Sequence, residues 1–261
     1  MLHATTAESR MPAARSLSTT VAARESLDAH AHSRAIGDRL AMIAASVPVH
    51  RRIVRAEGVV YQAGQRFTHL YVINSGFYKV VTMSPDGREQ IVSLKFRGDW
   101  LGFDGIADGM HDCDAIALDT GEVWAIPYDE LLRAGTNQPA LMAALHEAMS
   151  REIARDRNSL MTVCTLPADA RVADFLRNWA GALERRGLRT DQITIRMTRA
   201  EIGNYLGVTL ETVSRALSRL ARGELIRFVD KGRRDIQIPD VGALGEFVQQ
   251  CIGPSEAATM Q

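Results

Sequence analysis

Three polar side chains near residue 210 have the chemistry and spacing needed to read the edges of base pairs. Glu211, Ser214 and Arg215 stand at i, i+3 and i+4, so in a helix they project side by side from one face. An arginine matches the two major-groove acceptors of guanine, and a glutamate can accept a hydrogen bond from the amino group of cytosine. The pattern therefore indicates a helix whose first turns contact DNA bases.

The residues around this face predict two short helices joined by a tight turn. Thr198 followed by Glu201 is a capping box that fixes the start of the first helix. Gly207 permits the turn, and Thr209 can cap the second helix. An apolar row at spacings of three, four and three predicts the buried side of the second helix: Leu210, Val213, Leu217 and Leu220.

Positive charge is concentrated in the same region of an otherwise neutral chain. The 261 residues contain 31 basic and 31 acidic side chains, for a formal net charge of zero. Between Arg185 and Arg234, however, 12 basic residues stand against five acidic ones, which is typical of a surface that contacts phosphates. The stretch LIRFVDKGRRDIQI, turning at Lys231 and Gly232, predicts a hairpin that forms a wing behind the second helix.

The chain before these helices predicts a β domain followed by a long helix. The segments VVYQAG, HLYVINSG, FYKVVTMS, EQIVSLKF and EVWAIP lie close together between Arg51 and Tyr128, as in an antiparallel jelly roll or barrel. The absence of a βαβ rhythm argues against a dinucleotide fold. From Leu131 to Val163 the period is helical, and Pro167 ends that helix.

The long helix carries a row of residues that could pair two copies of the chain. Spacings of four, three, four and three define this dimer seam: Met149, Ile153, Asp156, Leu160 and Val163. Asp156 is unexpected there, because two-fold pairing would bring two carboxylates together. Two interpretations stay open, namely that Asp156 turns aside to pair with Arg155, Arg157 or an arginine of the partner, or that its charge weakens the dimer.

The order of these parts resembles the cyclic-AMP receptor / fumarate-nitrate reduction regulator (CRP/FNR) family over roughly residues 40–245. The stretches GDWLGFDGI, AIPYDEL and MTRAEIGNYLGVTLETVSRALSRL are similar to the fumarate-nitrate branch in particular. The resemblance implies an α+β fold: an N-terminal cyclic-nucleotide-binding-like β-roll, a long dimerisation helix and a C-terminal winged helix-turn-helix. The expected segments are a disordered tail (1–35), the β-roll (36–135), the dimerisation helix (136–166), the winged helix-turn-helix (167–245) and a C-terminal tail (246–261).

The resemblance also implies partners and roles for individual residues. Glu211, Ser214 and Arg215 match the face that reads half-sites of the type TTGAT, and the residues expected to hold phosphates are Thr198, Arg199, Thr209 and Thr212. The cyclic-AMP receptor branch has an arginine before the glutamate and a glycine before the last arginine, where this chain has Leu210 and Ser214. The implied protein is a cytoplasmic homodimer that binds an inverted repeat in double-stranded DNA and contacts RNA polymerase, typically as an activator.

The residues that hold the two best-known cofactors of the resembling proteins are missing. At the glutamate, arginine and serine positions of cyclic-nucleotide binders this chain has Phe103, Cys113 and Asp114. No cysteine precedes Cys113, and Trp124 stands at the last cysteine position of the oxygen sensors, so the four thiolates of a [4Fe–4S] cluster cannot be assembled. We therefore expect neither cyclic AMP nor a cluster, and no other metal or cofactor.

Other classes of protein fit the sequence less well. A cupin-like enzyme would need two histidines one residue apart on the roll, and none occurs there; no GxSxG, HExxH or P-loop motif is present either. No apolar run approaches the length of a membrane span. Three dispersed cysteines, Cys113, Cys164 and Cys251, favour a reducing compartment. A cyclic-nucleotide-responsive regulator remains the alternative, and the sequence identifies no effector, no set of target genes and no redox role for Cys113 or Cys164.

Overall fold

The computed structural model describes residues 14–229 and 234–252, with side chains from residue 30 onward. Its N-terminal part is a β-roll preceded and followed by helices. The elements of this part are α1 (Ala14–Ser46), β1 (His50–Val54), β2 (Val59–Tyr61), β3 (His69–Ser75), β4 (Tyr78–Met83), β5 (Glu89–Lys95), β6 (Trp100–Leu101), α2 (Gly105–Asp108), β7 (Asp114–Ala117), β8 (Gly121–Pro127) and α3 (Tyr128–Asn137).

The C-terminal part consists of a long helix and a small helical domain with a three-stranded sheet. Its elements are α4 (Pro139–Thr165), α5 (Ala168–Glu184), β9 (Gln192–Thr194), α6 (Arg199–Leu206), α7 (Leu210–Arg222), β10 (Arg227–Phe228), β11 (Asp235–Gln237) and α8 (Val241–Ile252). The strands β10 and β11 pair antiparallel, as the predicted wing requires. Its predicted turn at Lys231 and Gly232 lies outside the described residues.

The β-roll is built from two antiparallel sheets of four strands each, in the orders β1-β8-β3-β6 and β2-β7-β4-β5. Apolar and aromatic side chains from both sheets fill the space between them, among them Tyr61, Ile73, Tyr78 and Val123, all at most 2% exposed. This architecture confirms the predicted roll. Strands β1, β6 and β7 were not among the predicted segments; β6 and β7 are too short to show an alternating pattern, and β1 is polar over most of its length.

Helix α1 differs from the sequence prediction of a disordered tail over residues 1–35. The helix already begins at Ala14, while residues 1–13 lie outside the described part. The stretch is rich in good helix formers and contains no proline between Pro12 and Pro48. Leu40, Ile43 and Val47 near its end are buried in one apolar cluster with residues of β3, β8, α3 and α4. The end of α1 is therefore an integral part of the fold.

The predicted helix from Leu131 to Val163 is divided into α3 and α4. The break falls at Gln138, which has a φ of −133°, and Pro139 opens α4. Proline lacks the N–H needed inside a helix but suits its first turn. Helix α4 then runs for 27 residues, or about 40 Å, to the small domain.

Helix α8 corrects the predicted C-terminal tail from residue 246. The helix continues to Ile252 and packs against α5, with Leu244 and Val248 buried at i and i+4. The folded domain therefore extends at least seven residues beyond its predicted end at 245. Residues 253–261 lie outside the described part of the chain.

The small domain is held against the β-roll of its own chain through helix α6. The Asn204 side chain donates to the Glu89 carbonyl (2.7 Å) and accepts from the Ile91 amide (2.6 Å), so it continues the edge of β5. Lys79 of β4 forms an ion pair with Glu201 of α6. Both side chains are largely buried, with 11% and 23% exposed. The pair therefore joins the roll to the first helix of the helix-turn-helix.

Removal of the Lys79 ammonium group should weaken this contact. We expect Lys79→Met to lower the free energy of unfolding by about 1–2 kcal/mol at pH 7, between the values for exposed and fully buried pairs. Arg88→Met, which breaks the exposed pair with Asp86, is the matched control and should leave stability unchanged. Urea denaturation of both variants measures the difference. Equal stabilities for the two variants would contradict the assigned contact.

The same pair predicts a pH dependence. Burial raises the pKa of Glu201, but the hydrogen bonds from Lys79 and Thr198 have the larger combined effect. The pKa of Glu201 therefore lies below its ordinary value. The pKa of a glutamate in the unfolded chain is about 4.3. Because the pKa of Glu201 is lower in the folded state, the pair stabilises the protein at pH values above about 4.3, and this stabilisation is lost as the pH falls below that value. The free energies of unfolding of wild type and Lys79→Met should therefore differ less when urea denaturation is repeated below about pH 4.3.

Candidate nucleic-acid interface

The three residues predicted to read bases, Glu211, Ser214 and Arg215, lie on helix α7, whose first turn is exposed, and are called the recognition face below. Glu211 and Arg215 are exposed and Ser214 is partly buried, and the helical spacing places the three side chains next to one another. Neither Glu211 nor Arg215 forms an ion pair with any residue in the described part of the chain. Both charged groups are therefore free to form hydrogen bonds with an external partner.

The start of each helix is fixed by the predicted cap. Thr198 and Glu201 form the capping box: the Glu201 amide donates to the Thr198 hydroxyl (3.2 Å) and the Thr198 amide donates to the Glu201 carboxylate (2.7 Å). At α7 the Thr209 hydroxyl accepts from the Thr212 amide at 3.2 Å. These caps set the directions of α6 and α7, and thereby the direction of the recognition face.

The turn between the two helices depends on two glycines. Gly207 has a φ of +65°, in the left-handed region that favours glycine, as the sequence predicted. Gly203 was not singled out by the sequence reasoning. A Cβ atom at Gly203 would lie 2.6 Å from the carbonyl oxygen of Val208, so only glycine allows the chain to approach α6 this closely.

Leu210 corrects the predicted buried row of α7. Val213, Leu217 and Leu220 are at most 2% exposed, but Leu210 is 45% exposed. It is the first residue of the helix, where no neighbouring element covers it. An apolar side chain therefore lies exposed directly beside Glu211, on the end of the helix that carries the recognition face.

The four residues predicted to hold phosphates lie around the two helix starts. Thr198 and Thr209 are the exposed N-caps of α6 and α7, and Thr212 lies in the first turn of α7. The guanidinium of Arg199 donates a hydrogen bond to the Ser214 hydroxyl at 3.0 Å. This bond orients Ser214, whose hydroxyl proton remains able to bind a base. The amide groups at both helix starts favour an anion.

The dimer seam on α4 is partly exposed in the single chain. Ile153 and Leu160 are 51% and 64% exposed and Val163 is 36% exposed, whereas Met149 packs against the cluster formed by α1, α3 and the roll. Asp156 forms no ion pair with any of the described residues. Arg155 is instead directed to Asp99 and Glu152. Burial and the nearby Glu152 raise the pKa of Asp156, against the lowering effect of Lys95 and Arg155.

Apolar and aromatic side chains fill the interior of the roll, where the resembling cyclic-nucleotide binders hold their ligand. Phe103 instead packs outside the interior, in the cluster formed with α1, α3 and α4, where its ring stacks on Trp100 with centroids 6.1 Å apart. Cys113 is buried in the interior, with its Sγ 3.9 Å from the Tyr61 hydroxyl. The Tyr61 ring in turn stacks on His111 at 3.8 Å. Burial and the Asp104 carboxylate raise the pKa of Cys113 to about 12, which keeps this thiol protonated and unreactive.

Trp124, which stands at the last cysteine position of the oxygen sensors, has a structural role. The Trp124 indole donates a hydrogen bond to Glu122 at 2.6 Å, and the Arg51 guanidinium lies over its ring at 5.4 Å. All three cysteines are unpaired. Within residues 14–229 and 234–252, no group of three or more histidine, cysteine or acidic side chains could hold a metal ion. None of the helices described is long and apolar enough to cross a membrane.

Known proteins share both parts of this architecture. The Crp-like helix-turn-helix domain family matches residues 170–247, and the cyclic nucleotide-binding domain family matches residues 51–137. The chain is 37% identical over 197 residues to the anaerobic regulatory protein of Pasteurella multocida, covering 76% of this chain and 71% of that protein. It is 36% identical over 167 residues to the fumarate and nitrate reduction regulatory protein of Vibrio cholerae, covering 64% and 67%.

A solved structure shows the same fold. The structure of FixK2 from Bradyrhizobium japonicum is 25% identical, has a TM-score of 0.67 and covers 77% of this chain and 97% of its own. Regulators of this family bind DNA through the helix-turn-helix and act as dimers. They are not enzymes, so the cupin-like alternative is excluded. The β-roll, the helix-turn-helix and these relatives together show that the chain belongs to the CRP/FNR family of transcription regulators.

Proposed function

We propose that this regulator binds, as a homodimer, an inverted repeat of TTGAT-type half-sites and contacts RNA polymerase as an activator. The observation that carries the half-site is the exposed and unpaired state of Glu211 and Arg215, beside a Ser214 held by Arg199. These are the three positions at which the chain matches the fumarate-nitrate branch. The contact with RNA polymerase is inferred from the family alone.

Each side chain of the face has a base that suits its chemistry. The guanidinium group of Arg215 donates to the O6 and N7 acceptors of guanine. The Glu211 carboxylate accepts a hydrogen bond from the amino group of cytosine on the opposite strand. Leu210 adds an apolar surface beside Glu211, and a leucine at that point suits the methyl group of thymine. Thr198, Arg199, Thr209 and Thr212 position the helix by holding phosphates.

Dimerisation follows from the form of the site and from α4. One chain presents one recognition helix, and an inverted repeat requires two related by a two-fold axis. Ile153, Leu160 and Val163 leave apolar surface exposed along α4, and a second copy of the seam would cover it. Asp156 lies between them and sets how tightly the two copies bind.

We further propose that DNA binding requires neither a [4Fe–4S] cluster nor cyclic AMP. Phe103 and Cys113 stand at the positions of the glutamate and arginine that would hold a nucleotide's ribose and phosphate. Inside the roll, Cys113 lies against Tyr61, whose ring stacks on His111. The alternative is a cyclic-nucleotide-responsive regulator, which the matched domain family favours. A thermal-shift titration with cyclic AMP and cyclic GMP separates the two: saturable stabilisation supports the alternative, and unchanged melting supports the proposal.

Arg215→Ala tests the reading of bases. We expect it to weaken binding to a TTGAT inverted repeat by about 1–3 kcal/mol and to remove the preference for guanine at that position. Arg222→Ala, at the far end of the same helix, is the control and should leave the sequence preference intact. Fluorescence anisotropy with duplexes substituted at each position measures both effects. An unchanged preference in Arg215→Ala would show that another face reads the DNA.

Asp156→Ala tests the dimer seam. Because two carboxylates that form no ion pair would face each other, the substitution should tighten dimerisation by about 1–3 kcal/mol, or roughly five- to 150-fold. Since the pKa of Asp156 is raised, mild acid should act in the same direction by protonating it. Asp129→Ala, on α3, is the control. Sedimentation velocity over a concentration series decides: weaker dimerisation of Asp156→Ala would identify Asp156 as a paired, stabilising residue.

A further inference from the structure

A cleft of about 600 Å³ lies between the two domains of the chain. Strand β5 forms one side, α4 another, and α5, α6 and α8 of the small domain close the rest. Its volume lies within the range of about 300–1,000 Å³ that is typical of small-molecule sites. The cleft is separate from the filled interior of the roll and from the recognition face on α7.

The lining of this cleft carries more positive than negative charge. Two aspartates are accompanied by five arginines: Arg155, Arg171, Arg177, Arg185 and Arg186. Arg177 pairs with Asp174, and Arg171 donates to the carbonyl groups of Leu166 and Leu206. Of the remaining three, Arg155 and Arg186 bind Asp99, and Arg185 lies beside them.

Asp99 and Glu152 do not balance these cations, because Glu152, which lies 3.7 Å from Arg155, is also paired with the buried Lys95. The Asp99 carboxylate lies 2.7 Å from the Arg155 guanidinium and 3.1 Å from that of Arg186, so both oxygens are already used. Burial and the neighbouring positive charges of Arg155, Arg185 and Arg97 lower the pKa of Arg186 to about 10, although Asp99 opposes this shift. The cations are therefore crowded together, and an anion placed among them would relieve their repulsion.

Arg185 is the residue directed to no anion. Among the described residues no carboxylate lies within ion-pair distance of its guanidinium. Burial and the nearby Arg155 lower the pKa of Arg185, against the raising effect of Asp99 and Glu184. Uncharged hydrogen-bonding groups line the adjoining wall of α4 at Asn158, Ser159 and Thr162.

The proposed dimer seam meets the cleft at one residue, Val163. On α4, Asn158 and Thr162 lie at i and i+4 on one face, whereas Leu160 of the seam lies between them in sequence and projects to the other side. Val163, at the end of the seam, also lines the cleft, so a partner chain docked on the seam would border the cleft there and leave the wall at Asn158 and Thr162 uncovered.

We propose that this cleft is a binding site for a phosphorylated small molecule of about nucleotide size, with Arg185 as its principal ligand and Arg155 as a second cation. The planar guanidinium fork matches phosphate oxygens in two parallel hydrogen bonds. The ligand would contact the roll, α4 and the DNA-binding domain together. It would favour the arrangement of the two domains in which the cleft is formed.

Isothermal titration calorimetry of the full-length chain tests the site. The probes are inorganic pyrophosphate and ATP, both with EDTA, and citrate as a carboxylate probe at matched ionic strength. We expect saturable binding of a phosphate probe at about one per chain, and weaker binding of citrate. Absence of saturable binding by both phosphate probes, or tighter binding of citrate, would overturn the proposal.

Substitutions then locate the bound anion. Arg185→Gln should weaken binding about tenfold or more, as expected for loss of a charge-assisted hydrogen bond. Gln249→Glu, which adds a carboxylate at an exposed position of the lining on α8, should do the same without disturbing buried groups.

Two control substitutions keep the result interpretable. Arg189 is an exposed arginine that lies outside the cleft and pairs with Asp191. Arg189→Gln should therefore bind the phosphate probes as tightly as wild type. Arg215→Ala should also bind as wild type, because it alters only the recognition face. Loss of binding in Arg215→Ala, or unchanged binding in both cleft variants, would place the anion elsewhere. These outcomes do not depend on which DNA half-site the protein reads.

Discussion

The buried carboxylate of Asp99 joins the three parts of the chain that must act together. It lies at the turn before β6, where it accepts from the Phe96 amide, and it binds Arg155 of α4 and Arg186 after α5. Burial raises the pKa of Asp99, but the two guanidinium groups lower it by more. The net effect is a lowered pKa, so the Asp99 carboxylate stays charged. A buried charge is tolerated only when it is paired. The roll, the long helix and the DNA-binding domain therefore all meet at this one residue, in addition to the contacts of Asn204 and Lys79 with the roll and α6. The cleft beside Asp99 is formed by the same three parts.

The parts of the structure that sequence reasoning predicted are those determined by neighbouring residues. The capping box at Thr198, the cap at Thr209 and the turn at Gly207 each depend on a few residues in a row, and all three are found as predicted. The roll was predicted because its longer strands alternate or run apolar between turn residues. The recognition face follows from the same local spacing, while its contacts with DNA remain a prediction.

The parts that sequence reasoning did not predict depend on contacts between distant residues. Nothing in the local pattern shows that α1 ends against the roll or that α8 packs on α5. The exposure of Leu210 reflects its position at the end of a helix, which a periodic pattern does not reveal. The pairing of Lys79 with Glu201 and of Asp99 with Arg186 joins residues about 90–120 positions apart in the sequence. Both the interdomain contact and the cleft therefore became visible only in three dimensions.

We propose that this protein, whose roll is filled by side chains, reads a TTGAT-type inverted repeat without a cluster or a cyclic nucleotide. Selection of bound duplexes from a random DNA library tests it most directly. The purified full-length chain is used once after exposure to air and once prepared without oxygen, with no nucleotide added. We predict that both selections enrich the same inverted repeat of TTGAT half-sites. Enrichment of a different half-site, or enrichment in the oxygen-free preparation alone, would contradict the account.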